Sequence, residues 1–331
     1  MPDARSFEEA LMQRILITGA NGFVGQTLCS RLQQAGHHVI ALVGAESSLS
    51  AQASESVRCD IRDAEGLEHA LSRTAPTHVV HLAAITHVPT SFKDPVLTWQ
   101  TNVMGSVNLL QALQRKAPDA FALFVSSSEV YGETFKQGTA LGEESACKPM
   151  NPYAASKLAA EAAFNEHLRQ GHRGVVVRPF NHIGARQSPD FATASFARQI
   201  ALIEAGKQLP ELKVGNLLAA RDFLDVHDVC EAYIALLTLA DTREDCPGCL
   251  NICSGEPTSL ETILAHLMAL SSGTIEVKVD PERMRPSDIP SAFGNNSAMR
   301  GFTGWKPTTS LNETLANLLN YWRHEVASTV V

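Results

Sequence analysis

The chain has 331 residues, 44% of them hydrophobic, enough for the core of one large domain or two smaller ones. Its formal net charge of -8 argues against binding to nucleic acids or membrane surfaces, because both are anionic. No apolar run reaches the roughly 18 residues that a membrane-spanning helix needs. The acidic N-terminal stretch does not fit a signal peptide, and seven scattered cysteines favour reduced thiols, so we expect a cytoplasmic protein.

Short β-branched runs alternate with helical stretches through the first half of the chain. Strands are predicted at residues 14–18, 38–43, 56–60, 78–82, 120–126 and 174–178. One helix is predicted to follow the first strand as far as Gly36, and others to span residues 95–114 and 152–169. Continuous apolar strands that alternate with helices are typical of a parallel sheet covered on both faces. The pattern therefore predicts an α/β fold with a Rossmann-like, doubly wound parallel sheet.

The pattern loosens after Pro179, where segments rich in Gly, Pro, Asn and Arg interrupt the helices. We expect a dinucleotide-binding domain over residues 12–180, with a return segment near 222–254. Residues 181–221 and 255–328 are then predicted to form a smaller C-terminal lobe that binds the substrate.

Residues 18–25, Thr-Gly-Ala-Asn-Gly-Phe-Val-Gly, follow the first predicted strand and open the first helix. Glycine lets such a turn close tightly and lets its backbone approach a pyrophosphate at the helix N-terminus. The spacing G-x-x-G-x-x-G differs from the common G-x-G-x-x-G, but its position after a strand favours cofactor binding over a structural turn.

The choice between NADH and NADPH stays open in the sequence. An acidic residue at the end of the second strand would bind the ribose 2′-hydroxyl, and an arginine would accept a 2′-phosphate. Residues 42–45, Leu-Val-Gly-Ala, offer neither, which slightly favours NADPH. Asp60, after the third strand, is a candidate for the adenine amino group or a plain turn carboxylate.

Tyr153 and Lys157 are four residues apart in Asn-Pro-Tyr-Ala-Ala-Ser-Lys, within a predicted helix. At this spacing both side chains leave one face of the helix and can reach the same small molecule. A tyrosine ionises near pH ~10, and a neighbouring ammonium favours the phenolate, so we expect Lys157 to lower the pKa of Tyr153. The alternative is an exposed helix that carries both residues by chance.

These segments together resemble the extended short-chain dehydrogenase/reductase family. The further matching pieces are Asp60-Ile61, residues 81–84 (His-Leu-Ala-Ala), Asn102 and residues 126–132 (Ser-Ser-Ser-Glu-Val-Tyr-Gly). Membership implies a nicotinamide cofactor, a nucleotide-sugar substrate, and Ser127 as the catalytic hydroxyl. The residues that the resemblance assigns to cofactor binding are Gly19, Asn21, Gly22, Phe23, Val24, Gly25, Asp60, Ile61, Leu82, Ala83, Ala84, Asn102, Tyr153 and Lys157.

The C-terminal half is similar to the GDP-mannose branch of this family, through residues 178–191, 221–226, 251–255, 285–288 and 303–307. Within this branch the chain resembles GDP-4-dehydro-6-deoxy-D-mannose reductases, which make GDP-D-rhamnose for polysaccharide biosynthesis. The resemblance also implies a homodimer through the helices at 95–114 and 152–169. Arginine suits a diphosphate because its guanidinium matches phosphate oxygens. The predicted substrate-binding residues are Ser127, Asn181, Arg186, Arg198, Arg221, Arg285 and Asp288.

The implied reaction is direct hydride transfer from NAD(P)H to a C4 ketone, with no metal and no covalent intermediate. Tyr153 donates a proton, Lys157 adjusts its pKa, and Ser127 polarises the carbonyl. Glu129 complicates this assignment, because a glutamate at this position removes the C5 proton in related dehydratases. A GDP-mannose 4,6-dehydratase and a nucleotide-sugar 4-epimerase therefore stay open as alternative activities, and an NAD(P)-binding sensor as the non-enzymatic alternative.

Overall fold

The computed structural model describes residues 12–50, 52–243, 245–284 and 289–328. Its strands are β1 (Arg14–Thr18), β2 (His38–Val43), β3 (Glu55–Arg58), β4 (His78–His81), β5 (Phe121–Val125), β6 (Gly174–Pro179), β7 (Asn181–Ile183), β8 (Glu211–Val214), β9 (Ala220–Asp225), β10 (Cys249–Ile252), β11 (Pro257–Ser259), β12 (Glu276–Val279) and β13 (Ser291–Ala292). Its α-helices are α1 (Phe23–Gln34), α2 (Ala64–Thr74), α3 (Val88–Lys93), α4 (Pro95–Trp99), α5 (Gly105–Lys116), α6 (Pro152–Arg169), α7 (Ala192–Glu204), α8 (Val226–Ala240), α9 (Leu260–Ala269), α10 (Ser297–Thr303) and α11 (Leu311–Ser328).

Seven strands form the main sheet, in the order β10-β6-β5-β4-β1-β2-β3. Strands β1 to β6 pair in parallel with their neighbours. The strand order reverses between β1 and β4, which creates the crevice where open α/β sheets bind their ligands. The predicted α/β fold class is confirmed.

Both faces of this sheet are covered, as the continuous apolar strands predicted. In β1, Ile15, Leu16 and Ile17 are all fully buried, although successive side chains point to opposite faces. Leu16 belongs to a cluster with apolar side chains of α2, α5 and α6. Helix α1 buries Leu28 and Leu32, which lie outside that cluster. Hydrophobic burial on two faces therefore holds the sheet in a three-layer arrangement.

The predicted strands at 14–18 and 38–43 and the predicted helix at 152–169 are confirmed to the residue. The predicted helix at 95–114 is confirmed as a helical segment, but a π-helical turn that was not predicted interrupts its α-helical hydrogen bonding. Its span consists of α4, a π-helical turn at Gln100–Met104, and α5. The π-turn contains the buried polar side chain of Asn102, whose hydrogen bonds reach residues distant in sequence. Hydrophobic periodicity carries no trace of such a contact.

Contacts divide the chain into two units. The first comprises residues up to Val130, Pro149–Arg178 and Cys230–Leu250, and it contains most of the main sheet. The second comprises Tyr131–Lys148, Pro179–Val229 and the residues from Asn251 onward.

The second unit contains two small sheets. In one, β9 pairs with β7, β11 and β13; in the other, β8 pairs with β12. Its main apolar cluster joins α7, α9 and α11 through fully buried side chains such as Ile200, Leu267 and Leu315. Across the described part of the chain, no helix has both the length and the apolar character needed to traverse a bilayer.

Candidate active site

The glycine loop packs directly against the segment that follows β4. Gly19 has a φ of +71°, a conformation that favours glycine, and a Cβ there would lie 2.9 Å from the backbone nitrogen of Ala83. A Cβ on Gly25 would lie 2.4 Å from the carbonyl oxygen of Gly19. The structure therefore brings Leu82 and Ala83 beside the loop, at the point where the strand order reverses.

The loop leads into α1 with a terminus suited to a pyrophosphate. Gly22 caps the helix in an extended conformation and offers no side-chain hydrogen bond, and the first turn holds no acidic residue. Phe23 and Val24 begin the helix, so its positive end and backbone amides lie at the loop. The Asn21 side chain contacts the loop after β2, where its Nδ2 donates to the Ser48 carbonyl at 2.6 Å. These residues fit a dinucleotide cofactor.

Asp60 and Ile61 lie after β3. The Asp60 carboxylate accepts hydrogen bonds from the Arg62 backbone at 2.9 Å and from its guanidinium, and the latter bond is the main cause of its lowered pKa. Ile61 packs against Gly105, where a Cβ would come within 2.6 Å of the Ile61 Cδ1. The contact of Asp60 with adenine stays a prediction.

Asn102 connects the segment after β4 to α6. Its Oδ1 accepts from the Ile85 amide at 2.8 Å, and its Nδ2 donates to the Ile85 carbonyl at 3.0 Å and to Ser156 Oγ at 2.9 Å. Ser156 Oγ in turn donates to the Tyr153 carbonyl at 2.7 Å. In this structure Asn102 therefore links Ile85, which follows half-buried Ala84, to the helix that carries Tyr153.

A second chain of hydrogen bonds supports the same region and was missed in the sequence. His81, at the end of β4, lies 2.7 Å from Thr18 Oγ1 and 2.9 Å from Ser106 Oγ. Burial, helped by the nearby charge of Lys157, lowers the pKa of His81 to about 3, so the imidazole is neutral. Thr18 Oγ1 also accepts from the Ala83 amide at 3.1 Å. His81 therefore links the glycine loop, β4 and α5.

Tyr153, Lys157, Ser127 and Glu129 form the predicted catalytic group. Tyr153 and Lys157 lie one turn apart on α6, and both are buried. The Ser127 hydroxyl forms a hydrogen bond with the Tyr153 phenol. Glu129 is half-buried, and its Oε2 accepts from the Nδ2 of Asn151 at 3.1 Å. Asn151 also caps α6, because its Oδ1 accepts from the Ala154 amide.

The expectation that Lys157 lowers the pKa of Tyr153 is wrong in this structure. Burial raises the pKa of Tyr153 to about 12; the Ser127 hydrogen bond lowers it, and the Glu129 charge raises it further. Burial also lowers the pKa of Lys157 to about 8, against the opposing charge of Glu161. Exclusion of water disfavours both charged forms, so the phenol keeps its proton.

A buried ion pair lies behind Lys157 on the same helix. Glu161 accepts from Arg178 at 2.7 Å and 3.1 Å and from the hydroxyl of Ser126. All three side chains are buried. Residues 153, 157 and 161 follow the i, i+4 spacing, so the sequence held a signal that this face carries three polar groups. The pairing with β6 is visible only in three dimensions.

Four of the predicted substrate residues that the structure describes lie in the second unit, and Ser127 lies in the first. Asn181 is exposed at the start of β7, and Arg186 has a φ of +70°. Arg198 lies over the Trp322 ring, 5.9 Å from its centroid. The Arg221 guanidinium donates to the carbonyls of Ala220 and Ile289. The predicted residues 285 and 288 lie outside the described residues.

Arg198 lines a groove within this unit, together with two cations that were not among the predicted substrate-binding residues. These are Lys213 and Arg283, and Gln199 lies beside them. Arg283 Nη1 donates to Ser195 Oγ at 3.0 Å. The groove suits a polar ligand, because its three cations share it with the carboxylates of Asp190 and Glu211.

Comparisons with known proteins agree with this geometry. The family model of GDP-mannose 4,6 dehydratase matches residues 16–318. The GDP-6-deoxy-D-mannose reductase of Pseudomonas aeruginosa is 36% identical over 96% of this chain and 99% of its own. The GDP-6-deoxy-D-talose 4-dehydrogenase of Aggregatibacter actinomycetemcomitans is 28% identical over 88% of this chain and 91% of its own.

A solved structure shows the same likeness in three dimensions. The structure of RMD from Pseudomonas aeruginosa complexed with NADPH matches with a TM-score of 0.82 and 35% identity, over 95% of this chain and 100% of that chain. The glycine loop, the tyrosine–lysine pair and these matches lead to one conclusion. The chain belongs to the GDP-mannose 4,6-dehydratase family, within the extended short-chain dehydrogenases/reductases.

Proposed function

We propose that this NAD(P)-dependent oxidoreductase reduces the C4 ketone of GDP-4-dehydro-6-deoxy-D-mannose to give GDP-D-rhamnose. The observation that carries the proposal is the buried phenol of Tyr153, which shares a hydrogen bond with Ser127 and lies one helical turn from Lys157. The 36% identical Pseudomonas aeruginosa reductase supports the choice of sugar. The NADPH in the RMD structure supports the choice of cofactor.

The bound nicotinamide cofactor supplies the hydride that C4 receives. Tyr153 holds the proton for the developing alkoxide at its Oη, and a pKa of about 12 keeps that proton in place at neutral pH. Ser127 donates to the carbonyl oxygen and polarises it. Lys157, one helical turn away, would hold the nicotinamide ribose, as the family resemblance implies.

GDP-mannose 4,6-dehydration is the second candidate, because one observation favours it. Glu129 raises the pKa of Tyr153 through its charge, so its carboxylate lies near the reacting end of that side chain. The bond from Asn151 fixes its orientation. A carboxylate at this place could remove the C5 proton.

Incubation with single substrates tests the proposal. We expect oxidation of NADPH with GDP-4-dehydro-6-deoxy-D-mannose and no conversion of GDP-mannose alone. Conversion of GDP-mannose without net cofactor consumption would establish the dehydratase instead. Tight cofactor binding with no turnover of either sugar would indicate a sensor. NMR of the product then separates GDP-D-rhamnose from GDP-6-deoxy-D-talose, which differ only at C4.

We also propose that the enzyme is a cytoplasmic homodimer that pairs through α4, the π-turn and α5. Three large apolar side chains are exposed there: Val96 at 65%, Met104 at 52% and Trp99 at 44% of their full area. Pro95 and Val103 extend the same apolar surface. A contiguous patch of this kind is typical of a protein–protein interface. The seven free cysteines are compatible with a reducing compartment.

A charge on this patch should break the dimer. We expect wild-type enzyme to show twice the chain mass in light scattering, and Val96→Glu/Trp99→Glu to show the monomer mass, because burying two carboxylates is unfavourable. Leu218→Glu is the matched control, since Leu218 is 80% exposed but lies in the second unit. An unchanged mass in the double variant, with native circular dichroism, would contradict the assignment.

A further inference from the structure

The end of β2 carries no side chain for the ribose 2′-position of a dinucleotide. After Val43 the chain continues through exposed Gly44 and Ala45 to Glu46, and none of these supplies a cation. In related folds this place separates NAD from NADP, since an acidic residue binds the 2′-hydroxyl and an arginine the 2′-phosphate. The neighbouring strand β3 supplies a cation at this position, because its Arg58 is the register partner of Val43.

Arg58 is exposed, and part of its guanidinium is available. Its Nε donates to the Ser47 carbonyl in the loop after β2 at 3.1 Å. Its two terminal amino groups have no partner among the residues that the structure describes. The charges next to it along β3 are neutralised: Glu55 pairs with Arg73, and Asp60 with Arg62. In a chain of net charge -8, such an unpaired arginine is suited to an anionic ligand.

The same loop is also attached to the glycine turn. Asn21 Nδ2 donates to the Ser48 carbonyl, one residue from the carbonyl that Arg58 binds. The loop after β2 is therefore held from β3 on one side and from the glycine turn on the other. This arrangement places Arg58 at the corner where the loop, the end of β2 and the glycine turn meet.

We propose that Arg58 binds the 2′-phosphate of NADPH and gives the enzyme its preference for NADPH over NADH. The two terminal amino groups of a guanidinium match two oxygens of one phosphate, whereas a ribose hydroxyl gains little from them. The Ser47 bond keeps the guanidinium in place before the cofactor arrives. The inference rests on the proposed NAD(P)H-dependent function and specifies which of the two cofactors that function uses.

Cofactor titration without sugar tests this inference. Dissociation constants for NADPH and NADH are measured by fluorescence or calorimetry on wild type, Arg58→Gln and Arg58→Lys. We expect wild type to prefer NADPH, and Arg58→Gln to weaken NADPH roughly 10- to 100-fold, as for one lost charge-assisted contact. NADH binding should change by about twofold or less, because it lacks the charged partner. Arg58→Lys, which keeps the charge and loses the fork, should be intermediate.

Arg73→Gln is the matched control, since it also removes an exposed arginine, but one that is paired with Glu55. Its ratio of NADH to NADPH dissociation constants should equal that of wild type. Equal weakening of both cofactors in Arg58→Gln, or no change in either, overturns the inference. So does a wild type that binds the two cofactors equally. This titration contains no sugar, so it is independent of the reduction assay. An enzyme that prefers NADPH in the titration but does not reduce the keto sugar would overturn the proposed function and leave this inference standing.

Discussion

Replacement of Tyr153 by phenylalanine should lower kcat for the keto sugar about 10²- to 10⁴-fold, the usual contribution of a positioned proton donor. Phenylalanine keeps the ring and removes only the hydroxyl that forms the hydrogen bond with Ser127. The affinity for NADPH should change little, because the glycine loop, α1 and Arg58 are untouched. Steady-state kinetics and a separate cofactor titration measure the two effects.

Ser127→Ala is the companion variant. It should lower kcat less than Tyr153→Phe does, because it removes polarisation of the carbonyl and leaves the proton donor in place. Normal turnover in Tyr153→Phe, with the product confirmed by NMR, would show that another group protonates the alkoxide. A large loss of NADPH affinity in that variant would instead assign Tyr153 a binding role.

Replacement of Glu161 by glutamine should have the largest effect on stability. Arg178 is buried and forms two hydrogen bonds with this carboxylate, so the variant removes a charged partner of a buried cation. The loss of an ion-pair partner at a buried site costs about 3–5 kcal/mol in the free energy of unfolding. Urea denaturation measures this loss. Glu161→Gln/Arg178→Met should recover part of it, because the buried cation is then absent.

The same variant should shift the pH dependence of activity. Lys157 carries its charge below a pKa of about 8 and loses it above, so turnover that needs the ammonium declines as the pH rises through that value. The Glu161 charge raises this pKa, and its removal lowers it further. The decline of turnover at alkaline pH, the alkaline limb of the pH profile, should therefore move to lower pH in Glu161→Gln. This makes Glu161 a positioning residue that acts through Lys157.

Glu166→Gln is the control on the same helix. Glu166 is exposed and pairs with Arg169, so its removal should leave both the stability and the pH profile close to those of wild type. If Glu161→Gln lowers stability but leaves the alkaline limb unmoved, its role is structural only. If the limb moves in both variants, the shift reflects the net charge of the protein and not the buried pair.

Much of the site follows from local patterns. Two features depend only on the spacing of residues along the chain, which the sequence shows directly. These are the glycine loop after β1 and the i, i+4 placement of Tyr153 and Lys157. The parallel sheet follows in the same way from uninterrupted apolar strands. The π-turn at Gln100–Met104 does not follow from such a pattern; it contains Asn102, whose hydrogen bonds reach Ile85 and Ser156, both distant in the chain.

Cofactor selection shows the same division. Residues 42–45 at the end of β2 carry no charged group, so the sequence left the choice between NADH and NADPH open. The candidate cation comes from β3, which is paired with β2 in parallel register. Its guanidinium reaches the loop after β2 across eleven positions of chain. Strand register, set by packing of the whole sheet, decides which side chains meet there.

The sequence by itself determined the fold class, the family and the tyrosine, lysine and serine that we propose as catalytic, because these depend on residue type and local spacing. Only the tertiary structure decided how far their pKa values are shifted. Burial raises the pKa of Tyr153 and lowers that of Lys157, and the depth of burial depends on elements far apart in the chain. Exclusion of water from this helix face depends on those distant elements, so it could not be predicted from the spacing of the two residues alone.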